Sequence, residues 1–196
     1  MRYDTEHKQQ THEKIVKEAA DAIRRHGPDK IGVAGLMSKV GLTHGGFYAH
    51  FKSKDDLVAE AISHMFEERL ETFRKCFAGV EAADGLANYI DLYLSTRHRD
   101  RPDRGCPAAS LTSDIARMPL VARKCFEVGI QRLTDALADI LLTLEKPRPE
   151  MLAASIVAEL IGAMAIARAI SDTELSERIL DTARSNVKER LGLAIV

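Results

Sequence analysis

Apolar residues recur every three or four positions along almost the whole chain, and this spacing predicts an all-α protein. Glycine, proline and capping residues separate the predicted helices. These helices span about residues 11–26, 33–40, 44–51, 53–78, 84–99, 107–118, 119–146, 150–170 and 173–191. The first three precede much longer ones, so we expect an N-terminal unit, residues 1–54, followed by a helical body, residues 55–196.

Residues 33–51 have the order of a helix-turn-helix: a short first helix, a turn and a second helix. Gly41 gives the turn a residue that adopts the left-handed conformation at little cost, and Thr43 can cap the second helix. Phe47 and Phe51 are four residues apart and are predicted to face a small core. The second helix would then present its first turn to the base edges of DNA.

Charge is distributed unevenly along the chain, although the formal net charge is only −1. Residues 1–54 contain ten Lys or Arg and six Asp or Glu, whereas residues 55–196 contain eighteen and twenty-three. A basic head on an acidic body is expected where only the head contacts a polyanion. The excess of basic over acidic residues in the head is modest, and taken alone it is explained equally well by chance.

The segment GLMSKVGLTHGGFYAHFKSKDDLVAEAI resembles the N-terminal signature of the TetR family of bacterial regulators. The matching positions are Gly41, Leu42, Thr43, Phe47, Tyr48, His50, Phe51, Ser53, Lys54, Asp55 and Leu57. With the preceding helix, the resemblance covers about residues 11–62, and the rest is similar only in being a helical body of suitable length. One departure is Gly32, where family members usually have a capping Thr or Ser.

The resemblance implies a DNA-binding regulator, a repressor released from a palindromic operator when a small molecule, electrophile or oxidant acts on the body. The expected DNA-contacting residues are Thr43, His44, Gly45, Gly46, Tyr48, His50 and Lys54. Thr43 is expected to bind phosphate while it caps its helix, and residues 44–46 to face base edges. Tyr48, His50 and Lys54 are expected to contact the sugar-phosphate backbone. Because two adjacent glycines leave few side chains for bases, specificity is expected to depend on DNA shape and dimer spacing.

The resemblance also implies that the body binds an effector and forms a homodimer through the last two helices. Ala154, Ala158 and Gly162 form a ridge of small residues that permits close helix packing. Further apolar surface is expected from Leu160, Met164, Leu175, Ile179 and Val187. The predicted effector pocket is lined by Met65, Phe73, Tyr89, Tyr93, Cys106, Leu111, Phe126 and Ile130. Ordinary core packing is the alternative for both sets.

Cys106 follows Gly105 and precedes Pro107, which places its thiol at the N-terminus of a predicted helix. Arg101 and Arg104 are close in sequence, and both cations and a helix N-terminus favour the reactive thiolate. A Gly-Cys pair at this junction resembles a TetR subgroup in which the cysteine acts as a sensor. We therefore hypothesise that Cys106 senses oxidants or electrophiles; a structural, buried cysteine is the alternative.

Other classes of protein find little support in the sequence. It contains no glycine-rich nucleotide loop, nucleophile elbow or HExxH motif, and no Cys/His pairs with zinc spacing. We therefore expect no metal, no cofactor and no enzymatic activity. Three widely spaced cysteines and a polar N-terminus predict a cytoplasmic protein without a disulfide framework. No membrane partner is expected, because the most apolar stretch contains Glu159 and Arg168. The remaining alternative is an architectural, effector-independent DNA-binding protein.

Overall fold

The computed structural model describes the backbone of residues 2–194 and the side chains of residues 6–194. In order, the helices are α1 (Arg2–His26), α2 (Val33–Lys39), a 3-10 helix (His44–Ala49), α3 (Lys54–Cys76), α4 (Ala82–Tyr93), α5 (Thr96–Arg99), a 3-10 turn (Pro102–Arg104), α6 (Pro107–Ile115), α7 (Leu120–Thr143), α8 (Pro149–Ala169) and α9 (Thr173–Leu191). Residues 2–194 contain no strand, and the all-α prediction is confirmed.

The turn after α2 and the caps of the two following helices form as the local sequence predicts. Gly41 has φ of +80°, which glycine adopts without a Cβ clash. The Thr43 hydroxyl accepts a hydrogen bond from the backbone N–H of Gly46 at 3.3 Å. The Ser53 hydroxyl accepts one from the backbone N–H of Asp56 at 3.1 Å, so both hydroxyls cap the helices that follow them.

Two helices of the N-terminal unit differ from the prediction. α1 begins at Arg2, not near residue 11. Residues 6–10 are exposed, so no apolar spacing marks this part of the helix in the sequence. The second helix of the helix-turn-helix is a 3-10 helix that ends at Ala49. Gly45 and Gly46 explain the difference, because glycine disfavours a regular α-helix by about 1 kcal/mol per residue.

Two predictions in the body are also wrong in detail. The single helix predicted over residues 84–99 is divided after Tyr93, and a new N-cap at Ser95 begins α5. The cap of α9 is Asp172, which accepts a hydrogen bond from the backbone N–H of Leu175 at 3.0 Å. The Ser-x-x-Glu spacing of residues 171–174 predicts Ser171 as the cap, but this residue lies one position too early.

α3 lies at the centre of one apolar core that joins the N-terminal unit to the body. It packs against α1 and, along most of its length, against α7. Leu57, Ala61 and Met65 on its inward side are buried, as their spacing predicts. The predicted domain boundary between residues 54 and 55 falls at the first turn of this shared helix, so a tilt of α3 would displace both units together.

α8 and α9 close the body and leave one small-residue face uncovered. Ala154 and Ala158 are exposed, and a Cβ on Gly162 would meet no atom within 4 Å. Leu160, Met164 and Val187 do not supply surface as expected: they are buried at 2%, 0% and 0% exposure. Helical phase explains this, because these residues point from α8 and α9 into the core shared with their neighbours.

Candidate nucleic-acid interface and effector region

The recognition segment, residues 44–49, is held by an aromatic anchor beneath it. Phe47 is 1% exposed and stacks near Phe51, with 5.4 Å between ring centroids. Tyr48 is 67% exposed, and its ring lies edge-on to His44 at 6.1 Å. Gly45 is exposed beside them. The segment therefore presents an imidazole, a phenol and accessible backbone on one surface.

Thr43 precedes this segment and Lys54 begins α3 five residues after it, and each can contact an anion. The Thr43 oxygen accepts a hydrogen bond from Gly46, so its own O–H stays free to donate to a phosphate. The Lys54 ammonium donates to the carbonyl oxygen of Asp29 at 3.3 Å. Since an ammonium group has three hydrogens, this contact positions Lys54 and leaves donors for phosphate.

His50 is oriented toward α1. Its ring lies 5.9 Å from His12, which stacks on Phe51 and forms a 2.6 Å hydrogen bond with Glu60. Burial lowers the pKa of His50, and His12 and Lys8 lower it further. A lowered pKa favours the neutral imidazole, which contacts DNA as a hydrogen-bonding group.

Side chains of α1 contact α2, the first helix of the helix-turn-helix. Lys14 donates to the carbonyl oxygen of Val40 at 3.4 Å, and Lys39 forms an ion pair with Glu18 at 3.2 Å. Gly32 is the N-cap of α2 and makes no side-chain capping bond, as its departure from the family signature predicts. Both lysine contacts hold the C-terminal end of α2 to α1, whereas the missing side-chain cap is at its N-terminal end.

Residues 15–61, from the middle of α1 to the second turn of α3, match the family described as bacterial regulatory proteins, tetR family. The chain carries a TetR-family DNA-binding domain. The resemblance inferred from residues 41–57 is thereby confirmed. No curated protein matches the sequence of this chain significantly.

Solved structures extend the TetR comparison from this domain to the whole chain. A TetR transcriptional regulator from Chloroflexus aurantiacus J-10-FL is 22% identical, with a TM-score of 0.77 and coverage of 98% of this chain and 97% of that one. A TetR-family regulator from Agrobacterium tumefaciens is 22% identical, with a TM-score of 0.77 and coverage of 93% and 98%. Escherichia coli NemR in its reduced form is 17% identical, with a TM-score of 0.80 and coverage of 92% and 96%. The helical body therefore has the TetR fold as well.

The residues predicted to line an effector pocket pack against one another in the TetR body. Phe73 and Tyr89 have ring centroids 4.7 Å apart, and Tyr89 and Tyr93 have centroids 5.9 Å apart. Buried members of the set are Met65, Phe73, Tyr89, Tyr93, Cys106 and Leu111, whereas Phe126 and Ile130 are partly buried. None of them lines the two arginine-containing cavities that border residues 102–104. Their role as ligand contacts stays a prediction that requires this core to open.

A buried cation, Arg69, lies in this core and was missed by the sequence analysis. Its Nε donates to the Tyr89 hydroxyl at 3.4 Å, and its guanidinium carbon lies 4.9 and 4.6 Å from the ring centroids of Tyr89 and Tyr93. Burial alone would lower the pKa of Arg69, but Tyr89, Cys106 and Tyr93 raise it above its ordinary value, so it remains charged. A signal was available: Arg69 is four residues after Met65 and four before Phe73, on the apolar side of α3.

His98 connects this core to the segment that carries Cys106. Its Nδ1 lies 2.6 Å from the carbonyl oxygen of Tyr93, and its Nε2 accepts the backbone N–H of Cys106 at 3.0 Å. This pattern assigns a neutral ring with the proton on Nδ1. Burial lowers the pKa of His98 to about 3, and the positive charges of Arg69 and Arg168 act in the same direction. His98 is therefore an uncharged link between α4 and α6.

Cys106 is the N-cap of α6 and is 0% exposed, with Pro107 in the first turn as predicted. Arg101 and Arg104, its expected cationic neighbours, are exposed and instead form ion pairs with Asp103 at 3.3 and 3.9 Å. The cations that interact with Cys106 are Arg69 of α3 and Arg168 of α8. The thiol therefore combines a helix N-terminus with full burial, and reagents reach it only when the surrounding segment moves.

The end of α1 contacts the body through the 102–104 turn. Arg25 donates to the Asp103 carboxylate at 3.2 Å. Arg24 is 6% exposed and donates to the carboxylate of Glu68 at 2.7 Å and to the backbone oxygen of Asp103 at 3.4 Å. Because α1 is part of the DNA-binding domain, movement of this turn changes contacts that orient that domain.

Proposed function

We propose that the protein is a homodimeric, effector-responsive transcriptional regulator that represses transcription from a palindromic operator. The recognition segment carries the proposal: it is anchored by Phe47, capped by Thr43 and exposed at His44 and Tyr48. Such a segment enters the major groove when two copies present it one helical turn of DNA apart. DNA binding and regulation are the general role of the TetR family to which its N-terminal domain belongs.

Contacts within the operator divide into two groups. His44 and the backbone of Gly45 and Gly46 face base edges, whereas Thr43, Tyr48, His50 and Lys54 contact the sugar-phosphate backbone. Only His44 among the base-facing residues has a side chain that donates or accepts hydrogen bonds. Sequence-dependent DNA shape and the separation of the two half-sites therefore supply much of the specificity.

The outer face of α8 supports the homodimer. Met151 and Ile166 are 65% and 53% exposed at its two ends, with the small residues Ala154 and Ala158 between them. Among the described residues, α8 alone is long and apolar enough to cross a membrane, a property that the core helices of soluble proteins share. Its Glu159 and Arg168 are held in hydrogen bonds within the chain. Two copies related by a twofold axis would bury this face in a four-helix bundle formed by α8 and α9.

Operator selection tests the proposal directly. The full chain is incubated with random duplexes, bound duplexes are sequenced, and the affinity for an enriched duplex is compared with that for a scrambled one at fixed salt. We expect an enriched inverted repeat. His44→Ala should reduce the preference for it, whereas Lys54→Ala should weaken both duplexes alike, and Lys124→Ala on α7 serves as the matched control. Equal affinity for both duplexes would contradict the proposal and favour an architectural DNA-binding protein.

We further propose that Cys106 senses oxidants or electrophiles. The thiol is three residues from Asp103, so covalent modification in this packed region would displace the turn that contacts α1. Alkylation by iodoacetamide at pH 7, followed by mass spectrometry, measures its reactivity against half-buried Cys76 and Cys125. Because its thiol is 0% exposed, Cys106 acts as a sensor only if the surrounding segment opens, and it should then react faster than in the denatured chain. A rate no higher than in the denatured chain assigns it a structural role.

A further inference from the structure

A cavity of about 320 Å³ opens beside the buried core, and its lining is strongly cationic. Its walls come from α3, the end of α4, α5 and the residues around the 102–104 turn. Four of its seven lining residues are arginines and none is acidic; the arginines are Arg69, Arg97, Arg101 and Arg104. Thr72 and Leu92 add a hydroxyl and an apolar contact.

The charge on Arg69 is not compensated by a carboxylate among the described residues. Arg69 is 6% exposed, and its buried Nη2 has no hydrogen-bond partner there. Arg24 provides an internal comparison, because it is also 6% exposed but forms an ion pair with Glu68 at 2.7 Å. A buried cation without a counter-ion is costly. Its position in the wall of a cationic cavity indicates that a ligand provides the missing negative charge.

We infer that this cavity binds the anionic group, a carboxylate or a phosphate, of a small effector. Guanidinium groups bind both anions through paired hydrogen bonds. A volume of about 320 Å³ is at the lower end of the range for small-molecule sites, so the occupant is small. This inference rests on the proposed regulatory function and adds the chemical class of the effector.

The same arginines connect the cavity to the DNA-binding domain. Arg101 and Arg104 line the cavity and also form ion pairs with Asp103, whose carboxylate accepts a hydrogen bond from Arg25 of α1. An anion in the cavity competes with Asp103 for these two arginines. The Asp103 carboxylate then redistributes its contacts with Arg25, which alters the position of α1. Anion binding and DNA binding are thereby coupled, and each changes the affinity of the other by the same factor.

Isothermal titration calorimetry of the full chain tests the site without DNA. The probes are benzoate and inorganic phosphate, which distinguish the two anion classes, and benzamide is the neutral control. We expect at least one anion to bind and Arg97→Gln and Arg69→Met to weaken it roughly tenfold or more, because a hydrogen bond to a charged group contributes about 1.5–3 kcal/mol. Arg97 is exposed, so its replacement leaves folding intact even if Arg69→Met does not fold.

Exposed Arg123 on α7 provides the matched control, and Arg123→Gln should bind the anion as wild type does. The inference is overturned if neither anion binds, or if Arg97→Gln binds as tightly as Arg123→Gln. Loss of binding in Lys54→Ala, with Arg97→Gln unaffected, likewise overturns it, because the anion is then bound at the DNA-binding surface.

The coupling is tested with the selected duplex at constant ionic strength. The anion that binds should change the duplex affinity of wild type, whereas Asp103→Asn should retain anion binding and lose this response. An unchanged response in Asp103→Asn overturns the proposed route. Operator preference without anion binding contradicts only the cavity, whereas anion binding without operator preference contradicts only the regulatory function.

Discussion

His98 should make the stability of the protein depend on pH between about 3 and 6.5. Burial, Arg69 and Arg168 hold its pKa at about 3 in the folded state, whereas an unfolded histidine titrates near 6.5. Above pH 6.5 the ring is neutral in both states and its stabilising contacts are fully present. As the pH falls below this value, only the unfolded state gains the proton, so the free energy of unfolding decreases.

The magnitude follows from these two pKa values. Between pH 7.5 and pH 5, protonation of the unfolded ring favours unfolding by about 2 kcal/mol, because each unit below the unfolded pKa contributes about 1.4 kcal/mol. His98 is 8% exposed, so solvent screening reduces this effect little. Its neutral Nε2 accepts the N–H of Cys106, and a proton on Nε2 would abolish that hydrogen bond.

The assay compares wild type with His98→Gln by urea unfolding at pH 7.5 and pH 5, followed by circular dichroism at one protein concentration. Glutamine keeps an acceptor for the Cys106 N–H and does not titrate. We expect the stability advantage of wild type over the variant to shrink by about 2 kcal/mol at pH 5. The other histidines are common to both proteins, so their titration cancels. Parallel losses of stability in the two proteins would refute the argument.

Three further substitutions test packing, dimerisation and capping. A Cβ at position 129 would overlap the ring of Phe66, so Gly129→Ala should cost about 1–3 kcal/mol in urea unfolding, and an unchanged midpoint would contradict this close packing. Ala158→Arg should produce a folded monomer by light scattering and lose operator affinity, whereas a stable dimer would exclude α8 from the interface. Thr43→Val should remove about 1 kcal/mol of capping and weaken DNA binding, and retention of both would show that the hydroxyl is dispensable.

Much of the DNA-binding domain is encoded in local sequence. Gly41 forms the turn, Thr43 and Ser53 cap the helices after them, and Phe47 is buried beneath the recognition segment. Each of these depends on neighbours within about four residues, so the pattern of the sequence is sufficient to predict it. The 3-10 form of the recognition segment is an exception. Gly45 and Gly46 disfavour the α-helix, so the α-helix and the 3-10 helix are close in free energy here.

The contacts between the N-terminal unit and the body are different, because they join residues far apart in the chain. Arg24 meets Glu68, and Arg25 meets Asp103, across separations of 44 and 78 residues. Periodicity predicts which helix face is buried but not which helix covers it. The same limit explains why Leu160 was predicted at a surface and lies in the core, at 2% exposure.

The sequence by itself determined the all-α architecture, the helix-turn-helix and its family, because these follow from helical spacing, capping and a contiguous signature. Tertiary structure alone placed a charged Arg69 beside Tyr89 and Tyr93, fixed His98 as neutral, and joined the arginine cavity to α1. The physical reason is that desolvation and charge compensation depend on the groups that surround a side chain in space. Those groups come from α1, α3, α4 and the 102–104 turn, which only the folded chain brings together.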